Sequence, residues 1–183
     1  MDGQMAPSHA VAIGKFFVLQ TSQDLRCYKA STGALLSERK IPRDQVGELE
    51  LCSLVAMDDS IILCSLLDFD TTTLRATTGL YRYAVPELRF VEKMGEINAN
   101  PGTIMHRKHF LISRGAAFDL NGRKQIWNGY SNAEQVAGDV IYSTAFEEES
   151  NIAILYAIEE ATGRRKRLYT VTFSLQSQTA PDP

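Results

Sequence analysis

The sequence predicts an all-β fold of about four four-stranded antiparallel blade-like units, and three observations predict it. Helical periodicity is nearly absent. Short runs rich in Val, Ile, Phe, Tyr and Leu recur instead, separated by Gly, Asp, Asn and Pro, which is the pattern of strands and turns. A hairpin motif also recurs: "DLRCYKASTGALLSER" (residues 24–39) breaks an apolar run at Ser-Thr-Gly and resumes it, and "ILYAIEEATGRRKRLYTVTF" (residues 154–173) does the same. Finally, the closing turns fall at Gly33, about Pro86, Gly122 and Gly163, a mean period of about 43 residues, which lies in the range of propeller blades. A β-propeller or partial propeller follows, because one such unit cannot bury both of its faces alone. Short strands at regular spacing also permit a sandwich or a barrel.

The expected organisation is a flexible N-terminus (1–8), one β-repeat domain (9–173) and a polar C-terminal tail (174–183), with units at about 9–41, 49–94, 102–128 and 133–173. In the first unit "HAVAIG" and "KFFVLQTS" flank Gly14, and "DLRCYKA" and "ALLSERKI" flank Thr32-Gly33. Residues 42–48 read as a linker. In the second unit, "LELCSLVAM" turns at Asp58-Asp59 into "SIILCSLLDF". A Thr-rich insertion from Asp70 to Thr78, expected as a mobile loop, precedes "GLYRYAV", a turn at Pro86-Glu87 and "LRFVEKM". The third unit runs "GTIMHR", "KHFLIS", "AAFDL", "RKQIW". Its Asn121-Gly122 turn is a strong hairpin signal, since both residues tolerate positive φ. The fourth unit is "AEQVAG", "DVIYSTAF", an acidic tip at 147–150, "IAILYAIEE", Thr162-Gly163 and "RKRLYTVTF".

The three closing hairpins "LRCYKASTGALLSERKI", "AAFDLNGRKQIW" and "ILYAIEEATGRRKRLY" resemble those of quinoprotein-like (PQQ-type) and WD40-like propeller repeats. Trp127 alone occupies the tryptophan position and Asp119 alone the strand aspartate position, and no unit has the Gly-His or Trp-Asp pairs of WD40. The resemblance implies architecture and carries over no catalytic residue. It also leaves three arrangements open: a small closed ring, part of a larger propeller, or a half that pairs with another chain.

Composition narrows the function classes. A net charge of −3 gives no electrostatic reason to expect nucleic acid or an anionic membrane as partner. The longest nearly uncharged stretch, Ser60 to Leu67, is far too short to span a bilayer as a helix, and no basic n-region precedes the first apolar run. Cys27, Cys52 and Cys64 all lie inside strand patterns. They are expected to be buried free thiols, which points to a reducing, cytoplasmic compartment.

No catalytic, cofactor or metal site emerges. His106-x-x-His109 has the wrong spacing for a shared metal on one strand face, and Arg107-Lys108 between them would repel a cation. Asp68 and Asp70 with Thr71 to Thr73 lack the glycine and closing glutamate of a calcium loop. Gly14-Lys15 lacks the rest of a phosphate loop. Tyr28, Tyr81, Tyr83 and Tyr156 occupy corresponding strands and read as core or inter-unit packing. The interaction candidates are Arg164, Arg165, Lys166 and Arg167, with cross-strand pairing to nearby glutamates as the plainer use. The expected function is a non-catalytic protein-interaction scaffold. Its partner would be another protein, a second copy of the chain, or the rest of a larger propeller. A ligand-binding or enzymatic propeller using a channel or rim pocket, with His106, His109 or Asp119 converging, is the alternative.

Overall fold

A computed structural model describes residues 9–21, 24–45, 52–73, 75–101, 104–113, 116–128, 132–147, 152–159 and 161–172. The expected termini (1–8 and 174–183), most of the acidic tip and residues 46–50 lie outside them. The chain is all-β, with four four-stranded antiparallel sheets, each formed by four consecutive strands in meander order. It divides into two compact units, residues 1–129 and 130–183.

The first unit holds three sheets. The first comprises β1 (His9–Ile13), β2 (Phe16–Gln20), β3 (Asp24–Lys29) and β4 (Leu35–Lys40), followed by a 3-10 turn, Arg43–Gln45, inside the expected linker. The second comprises β5 (Cys52–Ala56), β6 (Ser60–Asp70), β7 (Arg75–Ala84) and β8 (Arg89–Ile97). The third comprises β9 (Met105–Arg107), β10 (Phe110–Ser113), β11 (Ala116–Asp119) and β12 (Lys124–Asn128). The second unit is one sheet: β13 (Asn132–Ala137), β14 (Val140–Glu147), β15 (Ile152–Glu159) and β16 (Arg165–Thr172).

The second sheet lies between two cores, and strand alternation sorts its side chains into them. Leu54, Ile61, Leu63, Tyr81 and Tyr83 pack with Val18, Leu25 and Cys27 of the first sheet. Their neighbours Val55, Ile62, Cys64 and Leu80 pack with Leu111, Ala116 and Phe118 of the third. This accounts for the unbroken apolar run of β6, whose residues Ser60 to Leu66 are all buried, as expected of a strand covered on both faces. The first sheet alternates instead, with burial on one face only.

The Thr-rich segment is not a nine-residue loop. β6 continues to Asp70, β7 begins at Arg75, and Asp70 pairs with Arg75. Asp70 closes the short connection: its Oδ1 accepts the N–H groups of Thr72 (2.9 Å) and Thr73 (3.2 Å), and its Oδ2 accepts the Thr73 hydroxyl (2.6 Å). Carboxylate capping of this kind makes a tight turn out of residues that look loop-like in sequence.

Each of the four closing turns contains one left-handed residue: Gly33, Leu88, Arg123 and Gly163. The first and fourth turns are built alike. The N–H groups of Thr32 and Gly33 donate to the Lys29 carbonyl, as those of Thr162 and Gly163 do to Glu159. The threonine hydroxyls accept from the N–H groups of Ala34 and Arg164. The third turn falls at Asn121-Gly122 as expected, but its positive φ is at Arg123. Gly122 serves close approach: a Cβ there would stand 2.7 Å from Asp119 Oδ2.

The last strand of each sheet carries an extra residue against its partner: Leu36 in β4, Met94 and Val91 in β8, Ile126 in β12 and Leu168 in β16. Bulges of this kind increase strand twist.

Candidate interaction surface

The four basic residues fall on the last hairpin. Arg164 ends the turn and Arg165 opens β16, which among the described residues pairs only with β15 and forms an edge of its sheet. All four are exposed. The backbone edge beyond β16 is open within the sheet, the arrangement that invites pairing with another chain.

The bulge at Leu168 decides how β16 presents its chemistry. Arg165 and Arg167 lie opposite Ile158 and Tyr156, and after the bulge Thr170 lies opposite Ile154. These three polar residues therefore share one face, and Arg167 Nε donates to Thr170 Oγ1 at 2.8 Å. Lys166 lies opposite Ala157, Tyr169 opposite Leu155 and Val171 opposite Ala153, so they share the other face. Without the extra residue, strict alternation would place Tyr169 and Val171 among the arginines. The strand thus has a cationic face and a face carrying Tyr169 (66% exposed) and Val171 (39% exposed), with Leu168 exposed at the bulge.

The expected ion pairs to nearby glutamates are not seen among the described residues. Glu159 instead accepts the Thr162 hydroxyl at 2.6 Å, while the side chain of Glu147, residues 148–150 and Glu160 lie outside the description.

The residues of the alternative reading sit at one end of the third sheet. Lys108 and His109 form the turn between β9 and β10, and the Leu120 N–H donates to the His109 carbonyl at 2.8 Å. His106 pairs with Leu111, on the face packed against the second sheet, whereas Asp119 pairs with Phe110 on the opposite face. Each is engaged locally. His106 Nε2 lies 2.7 Å from the Lys108 carbonyl, the His109 ring lies against Phe110 with centroids 3.9 Å apart, and Asp119 Oδ1 accepts the Asn121 N–H at 3.0 Å. Among the described residues no group of three or more His, Cys, Asp or Glu stands where it could hold a metal ion.

Cys27, Cys52 and Cys64 are buried and none of them forms a disulfide. Burial pushes the Cys64 thiol up to about 12 and raises that of Cys27, the reverse of an activated thiolate. No helix among the described residues is long and apolar enough to cross a membrane.

Two arrangements had no signal in the sequence. The 3-10 turn after β4 brings Gln45, which is buried, to the core, where the Tyr83 hydroxyl donates to Gln45 Oε1. The Arg39 guanidinium lies 5.6 Å from the Tyr83 ring centre. Phe17 and Tyr28 stack on the face of the first sheet opposite Val18 and Cys27, with centroids 4.9 Å apart and rings 7° from parallel.

No protein-family model matches the chain, and no curated protein matches it in sequence. Among solved structures it is similar to an oligogalacturonate lyase in complex with manganese, with a TM-score of 0.57 and 10% identity. The match covers 86% of this chain and 50% of that one, so the chain spans about half the length of the structure it resembles. At that identity the likeness shows the fold alone, and the fold is propeller-like.

Proposed function

We propose that the chain is a non-catalytic protein-interaction scaffold of the quinoprotein-like and WD40-like repeat style, with β16 as its docking strand. The carrying observation is the sorted surface of that strand: Arg165 and Arg167 on one face, Tyr169 and Val171 on the other, and an open backbone edge between them. The partner it suits is a protein segment with carboxylates facing the arginines and apolar groups facing Tyr169, added as a further strand. The net charge of −3 favours protein over nucleic acid. The Thr-Gly hairpins of the first and fourth sheets support the repeat style. Three buried cysteines outside any disulfide support a reducing, cytoplasmic setting.

Fluorescence anisotropy with a labelled peptide of alternating Glu and Val tests the reading. Binding should weaken as salt is added, and Arg165→Glu with Arg167→Glu should abolish it. Preference for a single-stranded oligonucleotide of equal charge, or binding indifferent to the double substitution, would sink the proposal.

The likeness to a lyase favours a second reading, a ligand-binding or enzymatic propeller. Incubation with oligogalacturonate and manganese, followed by product analysis, distinguishes the two. Turnover that is lost in His106→Ala or His109→Ala would replace the scaffold reading.

A further inference from the structure

We propose that Thr162 is a phosphorylation site whose modification switches β16 off. The inference rests on the reading of β16 as a docking strand and adds its regulation. Thr162 is exposed in the closing turn of the last hairpin, and the exposed residues Arg164, Arg165, Lys166 and Arg167 follow it.

The first sheet holds an internal comparison. Thr32 and Thr162 occupy the same position in turns built alike. Each N–H donates to the carbonyl three residues back, at 3.2 and 3.3 Å. Each hydroxyl accepts the N–H two residues on, at 3.3 and 3.1 Å. Both threonines are exposed, so geometry and access are common to the two. The flanking chemistry is not. Lys29 stands three residues before Thr32, and Ala34, Leu35 and Leu36 follow it; Glu159 stands three residues before Thr162, and the basic run follows. A kinase with an acidic cleft on the C-terminal side of its target separates the two sites by charge alone.

In the transfer, Thr162 Oγ1 attacks the γ-phosphorus of ATP. The bond from that phosphorus to the β–γ bridging oxygen breaks, ADP leaves, and the hydroxyl proton passes to the catalytic aspartate of the kinase. In the unmodified turn that proton is donated to Glu159 Oε2 at 2.6 Å. The phosphate ester has no hydroxyl to donate there and adds a charge of about −1.5 to −2. Glu159 repels it, and the guanidinium groups of Arg164 and Arg165, next along the chain, attract it. A carboxylate-bearing segment approaching β16 then meets a phosphate among the cations that recruit it.

The test is incubation of the whole chain with ATP and a protein kinase selective for Arg and Lys on the C-terminal side of its target, followed by mapping of the phosphate by mass spectrometry. Phosphate should appear on Thr162 and not on Thr32. The labelled peptide of alternating Glu and Val should bind the phosphorylated chain more than about 10-fold less tightly. Thr162→Ser should still be modified. Thr162→Asp, whose carboxylate can accept the Arg164 N–H and so keep the turn, should weaken peptide binding without any kinase. Equal modification of Thr32 and Thr162, or a phosphorylated chain that binds the peptide as tightly as the unmodified one, would overturn the proposal. An unmodified chain that binds the peptide but takes no phosphate on Thr162 would overturn this inference alone, whereas one that ignores the peptide would overturn the docking reading with it.

Discussion

Ile61 and Ile62 are adjacent in β6, both fully buried, yet they belong to different cores. Truncating each by one methyl group, Ile61→Val and Ile62→Val, should cost about 0.5–1.5 kcal/mol apiece. Their side chains share no packing partners, because alternation sends Ile61 towards the first sheet and Ile62 towards the third. The double variant should therefore lose about 1–3 kcal/mol, the sum of the singles, with a coupling below about 0.5 kcal/mol. A comparison pair, Ile61→Val with Leu63→Ala, lies within one core and is free to couple. Equilibrium urea unfolding followed by Trp127 fluorescence provides the assay, since the single tryptophan lies in the first unit. A coupling between Ile61 and Ile62 as large as that between Ile61 and Leu63 would refute the two-core reasoning. It would mean that the second sheet is not packed separately on its two sides.

Tyr83→Phe removes the hydroxyl that donates to buried Gln45 Oε1 and should cost about 1–3 kcal/mol in the same urea assay. The pH dependence of that loss has a definite sign. Burial pushes the Tyr83 hydroxyl from 10.0 up to about 12, so below pH 10 it is protonated in both the folded and unfolded chain. Between about 10 and 12 the unfolded chain releases the proton and the folded chain keeps it, so stability falls as pH rises. Tyr83→Phe should flatten that part of the profile, and an unchanged slope would contradict the assignment. Gly95→Ala should destabilise the chain by more than about 1 kcal/mol, because Gly95 has φ of 152° and a Cβ would lie 2.9 Å from the Phe118 ring. Gly138→Asn should be tolerated in thermal melts, since Gly138 has φ of 61° and nothing stands within 4 Å of its Cβ position; asparagine adopts that conformation readily.

Much of the fold was legible in the sequence because strand propensity, alternation and turn chemistry are local. The four hairpin units, the Gly14 and Gly33 turns and the Thr-Gly pair at Gly163 all depend on residues close in the chain. Cys64 could be expected in a core from its apolar neighbours alone. Arg164 to Arg167 were visible as a cationic run for the same reason.

The tertiary structure decided what depends on partners distant in sequence. Asp70 and Arg75 form a strand pair because β6 and β7 extend together, which the Thr-rich composition conceals. The left-handed residue of the third closing turn is Arg123, and Asp119 occupies the space beside Gly122. Tyr83 and Tyr28 look equivalent by position, but one is sealed between two sheets and the other is half-buried, stacked on Phe17. On β16 one bulged residue, Leu168, moves Tyr169 and Val171 away from the arginines. A period-2 pattern gives two faces to every strand, but it does not say which face meets another sheet. That is fixed only when the sheets stack, because burial is a property of the neighbours a face acquires.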